Sequence, residues 1–144
     1  MRLFESNTNA RPFIKWVGGK TQLLDEVRKS LPSDFASRQH LTYVEPFVGG
    51  GAVMFWILQA YPNIERAVIN DINPELICTY CVIKGHVEEL ITELSRIQAE
   101  YIPRSAEDRK AYFLEKRARF NSKKSSPVET AALFIFLNRT CFNG

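Results

Sequence analysis

The spacing of apolar residues changes along the chain and separates strand-like from helix-like stretches. Leu23, Leu24, Val27 and Leu31 recur at helical intervals, which predicts a helix over residues 20–31 that Pro32 ends. Leu41–Glu45 reads as a short strand stopped by Pro46, three glycines follow, and the apolar stretch 52–61 predicts a helix closed by Pro62. Residues 66–70 read as a second, buried strand that delivers Asp71 at its C-terminal end. Asn73 and Pro74 then have the chemistry of an N-cap and a first helical residue, and Gly85 that of a C-terminal stop.

Beyond Gly85 the pattern is helical. Leu90, Ile91, Leu94 and Ile97 form one stripe, and Ser105 with Asp108 opens a further helix. Ser126-Pro127-Val128-Glu129 is a capping box ahead of the apolar run 131–137, and residues 123–127 form the internal joint before it. No repeat or low-complexity tract interrupts this order. Asn143-Gly144 is a turn signal with nothing after it, an odd end for a finished domain.

Composition narrows the class. The 144 residues are 45% hydrophobic and 24% charged, enough apolar material for a compact core and unlike a disordered or fibrous chain. No apolar run approaches the roughly 20 residues of a bilayer-spanning helix, residues 1–12 hold no signal core, and three cysteines are too few for a disulfide framework. The expectation is a soluble, cytoplasmic protein with no membrane partner. The net charge of +3 permits nucleic-acid binding without implying it. Its distribution says more: residues 104–124 carry eight basic and three acidic side chains, a local +5 that leaves −2 for the remainder. Such a segment is either a polyanion contact driven by counterion release or a solvated helix face.

The residues that carry chemistry lie between the two strands. Glu45-Pro46-Phe47-Val48-Gly49-Gly50-Gly51 after a strand, then a helix and a second strand ending in Asp71, make half of a doubly wound nucleotide-binding unit. Asp71 follows Gly49 by 22 residues, close to the roughly 20 expected between a glycine turn and a ribose-binding acid. The dinucleotide fingerprint fails at its third glycine, where Met54 stands, so a ribose-bearing cofactor without a pyrophosphate, S-adenosylmethionine, fits better. A nicotinamide or flavin site and a merely structural glycine turn stay open. Trp16-Val17-Gly18-Gly19-Lys20 adds an aromatic surface and an ammonium suited to a sulfonium or adenine and to a carboxylate, although Trp16 alone also reads as a core residue. Only Gly18-Gly19-Lys20-Thr21 of a phosphate loop is present.

Four motifs in order, Phe13 to Lys20, Glu45 to Gly51, Asn70-Asp71-Ile72-Asn73-Pro74-Glu75-Leu76-Ile77 and Phe136 to Gly144, resemble the Dam-type DNA adenine-N6 methyltransferases over nearly the whole chain. The resemblance implies an α/β fold: an incomplete Rossmann-like S-adenosylmethionine-dependent methyltransferase half-sheet in residues 1–85, then a helical start of the target-recognition domain in residues 86–144. It implies that Trp16, Lys20, Phe47, Val48, Gly49 and Asp71 bind S-adenosyl-L-methionine, with Asp71 on the ribose. It gives the basic segment a purpose, with Lys116, Arg119, Asn138 and Arg139 as contacts to double-stranded DNA, although a structural role for Asn138 and Arg139 stays open. A short target such as GATC and a monomeric full-length enzyme follow by analogy, while the role, restriction-modification, repair or replication, stays open.

One part of the family pattern is missing. Adenine N6 is a poor nucleophile until it is flipped out and its amino group is hydrogen-bonded, work that an Asp-Pro-Pro-Tyr motif performs in the family. The seven prolines stand at 12, 32, 46, 62, 74, 103 and 127, no two adjacent, so no catalytic residue is assigned. The expectation is a truncated chain, marginally stable and inactive alone, with a non-catalytic nucleotide- or DNA-binding module as the alternative. Cys78 and Cys81 have zinc-like spacing without a second pair, so no metal is expected, and His40 and His86 have no role.

Overall fold

The computed structural model describes residues 10–141, so the Asn143-Gly144 turn lies outside the described residues. The chain forms two packing units, one ending at Asn70 and the other beginning at Asp71, ahead of the 85/86 division drawn above.

In the first unit the helix expected over residues 20–31 is split. A 3-10 turn spans Lys20–Leu23, and α1 follows at Leu24–Ser30. Gly19 precedes the turn and has no side chain to capture the first free N–H groups, so the opening turn tightens instead. Strands β1 (Leu41–Glu45) and β2 (Ile64–Ile69) pair in parallel, Thr42 opposite Arg66 through Glu45 opposite Ile69, with one irregularity beside Leu41. Helix α2 (Ala52–Ala60) connects them and buries Val53, Met54 and Ile57. Contrary to the sequence reading, β2 starts at Ile64 and is not a buried strand: residues 65–68 are exposed. Parallel strands are buried when helices cover both faces, and the sheet has only these two strands among the described residues.

The second unit is four helices: α3 (Pro74–Gly85), α4 (Val87–Tyr101), α5 (Ala106–Asn121) and α6 (Pro127–Thr140). Three of them start at the caps the sequence marks. Asn73 Oδ1 accepts the Leu76 N–H at 2.8 Å, and Ser105 Oγ and Ser126 Oγ accept the Asp108 and Glu129 N–H groups at 3.2 Å each; each such cap contributes about 1 kcal/mol. Helix α6 is the hub, packed on α3, α4 and α5 with Ala131, Ala132, Leu133 and Phe136 buried. Tyr101 and Tyr112 set their rings edge-on to Phe136, with centroids at 5.2 and 5.8 Å. Leu90 and Ile97 of the expected stripe join this core, Leu94 packs against it, and Ile91 turns outward.

Ion pairs tie the helices at their edges. Arg119 on α5 donates to both carboxylate oxygens of Glu129 on α6, at 2.7 and 2.8 Å, and Lys123 pairs with Glu75 on α3. These cations hold the Glu129 and Glu75 carboxyls below the usual range, and the Tyr112 hydroxyl, aided by Arg96, does the same for Glu100. A carboxylate whose folded-state pKa is depressed stabilises the fold above its unfolded pKa and loses that contribution as pH falls through the folded value. The melting temperature of the chain is therefore expected to change little down to about pH 5.5 and then to fall as pH drops below the ordinary glutamate value of 4.5. Circular-dichroism melts across this range check it, and a Glu75→Gln, Glu129→Gln variant should show a shallower acid limb.

Candidate cofactor site

The two strands end side by side, which puts the loop after β1 at the carboxyl end of β2. Asn70 N–H donates to the Glu45 carbonyl and Val48 N–H to the Asn70 carbonyl, both at 2.9 Å, so the 46–51 loop is pinned to the strand pair. Val48 is buried and Phe47 is exposed. Gly49 meets two constraints at once. Its φ is +51°, and a Cβ there would stand 2.9 Å from Trp16 Cδ1 and 3.2 Å from Nε1, so the indole occupies the space a side chain would need.

Lys20 closes the other side of the loop. Its Nζ donates to Glu45 Oε1 at 2.8 Å and to the Phe47 carbonyl, while the Tyr43 hydroxyl donates to Glu45 Oε2 at 2.6 Å. Glu45 is 6% exposed, the one buried carboxylate among the described residues. Burial and then the neighbouring Glu45 push the Tyr43 hydroxyl far above its ordinary value, so it remains a donor. Trp16, Lys20, Phe47, Val48 and Gly49 therefore share one cluster in the first unit. Lys20, read from the sequence as an ammonium suited to a carboxylate, is already ion-paired with Glu45. Glu45 and Tyr43 were missed as site residues. Their only sequence signal is an acid closing a strand two residues after a tyrosine, with the lysine partner 25 positions away.

The remaining expected residues lie in the second unit. Asp71 is its first residue, half-exposed, with Oδ1 accepting the Asn73 N–H at 3.1 Å in the turn that starts α3. Of the expected DNA contacts, Arg119 is engaged by Glu129, and Lys116 lies 4.6 Å over the Tyr112 ring with its side chain 14% exposed. Arg139 is exposed and Asn138 half-buried on the last turn of α6. A groove of about 680 Å³ runs between the ends of these helices, lined by Tyr101, Arg109, Lys110, Phe113, Arg117 and Thr140 among others. Lys110 and Arg117 make no ion pair among the described residues. Cys78 Sγ lies 3.7 Å from the Pro127 carbonyl, a helix-packing contact, and no helix among the described residues is long and apolar enough to cross a membrane.

A profile of the D12 class N6 adenine-specific DNA methyltransferases matches residues 16–144, and the chain belongs to that family. It is 43% identical over 136 residues to the type II methyltransferase M.MjaIII of Methanocaldococcus jannaschii, an alignment covering 93% of this chain and 47% of that protein. The DNA adenine methylases of Haemophilus influenzae and Escherichia coli K12 are 37% and 32% identical over 136 and 134 residues, each alignment covering 93% of this chain and 42% of the relative. The chain thus spans less than half the length of these relatives.

The contact between Trp16 and Gly49 makes a specific prediction. Gly49→Ala places a side chain in a left-handed conformation and against the indole, and should cost about 1–3 kcal/mol. Gly50→Ala, whose Cβ would meet Trp16 Cβ at 3.4 Å, should cost less. In a Trp56→Phe background, chemical denaturation followed by the fluorescence of Trp16 ranks the two.

Proposed function

We propose that these residues form the cofactor-binding half and the opening of the target-recognition domain of an enzyme that transfers a methyl group from S-adenosyl-L-methionine to adenine N6 in duplex DNA, at a short site such as GATC. The cluster around the 46–51 loop carries this reading. An indole packed on a glycine without a Cβ, beside an ammonium on a strand-end loop, suits a nucleoside with an amino-acid tail. Bound there, the cofactor supplies an electrophilic methyl on a sulfonium. Lys20 would meet the tail carboxylate, Trp16 would flank the sulfonium nucleoside, Phe47, Val48 and Gly49 would pass beneath the methionine portion, and Asp71 would accept the ribose hydroxyls. The assignment of residues 1–85 to the methyltransferase domain and 86–144 to target recognition belongs to the same reading.

Double-stranded DNA is the proposed macromolecular substrate, met by the helical unit. Arg139 is open to a phosphate, and Lys110 and Arg117 line the basic groove. Arg119 reaches a phosphate only by giving up Glu129, and Lys116 only by leaving the Tyr112 ring and its ion pairs with Glu115 and Glu100. Acceptors for the adenine amino group, the Asp-Pro-Pro-Tyr residues, are not among these 144, so binding and transfer should separate.

Calorimetry on the 144-residue chain is expected to show binding of S-adenosylmethionine and none of nicotinamide dinucleotide, with Asp71→Ala abolishing it. Radiolabelled methyl transfer to adenine-containing duplex by this chain alone is expected to be absent. Binding of the dinucleotide in place of S-adenosylmethionine would overturn the assignment.

A further inference from the structure

The Lys20–Glu45–Tyr43 network does more than link two segments. Lys20 leads the 3-10 turn after Gly18-Gly19, Glu45 is the last residue of β1, and Phe47 opens the glycine loop, so one ammonium joins three separate pieces of backbone. An ammonium has three N–H donors. Two are consumed by Glu45 and the Phe47 carbonyl, and the side chain remains 35% exposed. Both carboxylate oxygens of Glu45 are likewise engaged, one by Lys20 and one by Tyr43, and the residue is almost fully buried. Glu45 therefore has little surface with which to touch a ligand, while it governs where the lysine sits.

We propose that Glu45 is a positioning residue: with Tyr43 it fixes the Lys20 ammonium against the Phe47 carbonyl, so that the one remaining N–H is held ready for the carboxylate of a ligand's amino-acid tail. This rests on the S-adenosylmethionine reading above and deepens it, because it assigns recognition of the tail, as distinct from the nucleoside, to a lysine that is already charge-balanced. Charge balance has a purpose in this arrangement. A bare ammonium beside the loop would attract any anion, whereas a paired one with a single free donor selects by hydrogen-bond geometry.

The test compares two neutral thioethers that differ in the tail, S-adenosylhomocysteine and 5′-methylthioadenosine, by calorimetry on the 144-residue chain. Glu45→Gln is expected to weaken S-adenosylhomocysteine by about tenfold, the scale of a misplaced charge-assisted hydrogen bond, and to leave methylthioadenosine unchanged. Tyr43→Phe, which keeps the ion pair, should weaken the same ligand less and spare the other. Lys20→Met should reproduce the loss, and Glu45→Gln added to it should do nothing more. Equal weakening of both nucleosides by Glu45→Gln would make it a fold residue and overturn the proposal, as would tighter binding of S-adenosylhomocysteine. If Glu45→Gln fails to fold, as judged by circular dichroism, the tail-selective effect of Tyr43→Phe decides. A wild-type chain that binds neither nucleoside fails at the cofactor reading itself, an outcome distinct from binding without tail selectivity.

Discussion

The first unit depends on a carboxylate taken out of water. Glu45 sits at the end of β1 with 6% of its surface exposed, and a charge so placed is tolerable only if its oxygens are hydrogen-bonded and its charge is met. Lys20 and Tyr43 satisfy both conditions. The consequence is geometric: the segment carrying Trp16 and Lys20 must lie against the strand end, and the glycine loop must pass beneath it. The absence of a Cβ at Gly49 is what lets the indole come that close.

The helical unit is organised by a different force. Its core is apolar and aromatic, centred on α6, and its ion pairs lie at the rim, where solvent screening leaves them modest individual weight. Those pairs matter more for what they occupy. Arg119 belongs to the basic segment, yet its guanidinium is taken by Glu129. Net local charge therefore overstates the number of cations available to a polyanion; Lys110 and Arg117, which line the groove, make no ion pair among the described residues.

Much of this was legible in the sequence because it is encoded locally. Asn73-Pro74, Ser105 with Asp108, and Ser126-Pro127 with Glu129 mark three helix starts within a few residues of chain, and the structure caps all three. The order strand, glycine loop, helix and strand was equally readable, as was the family. What escaped depends on partners distant in sequence. The burial assigned to β2 assumed a covered sheet, and the 3-10 opening before α1 follows from a missing cap rather than from hydrophobic spacing. The Lys20–Glu45 pair spans 25 residues, and nothing near either residue announces it; only the strand register and the turn after Gly19 bring them together.

The two alanines at the heart of α6 act as spacers. Ala131 and Ala132 have no exposed surface, and three helices close around the element that carries them. A methyl group there sets how near the neighbouring backbones come, and close-packed interiors give way to added volume only by moving whole helices. Descendants of this sequence can enlarge either position only alongside a shrinking residue opposite, so these sites should drift in correlated pairs.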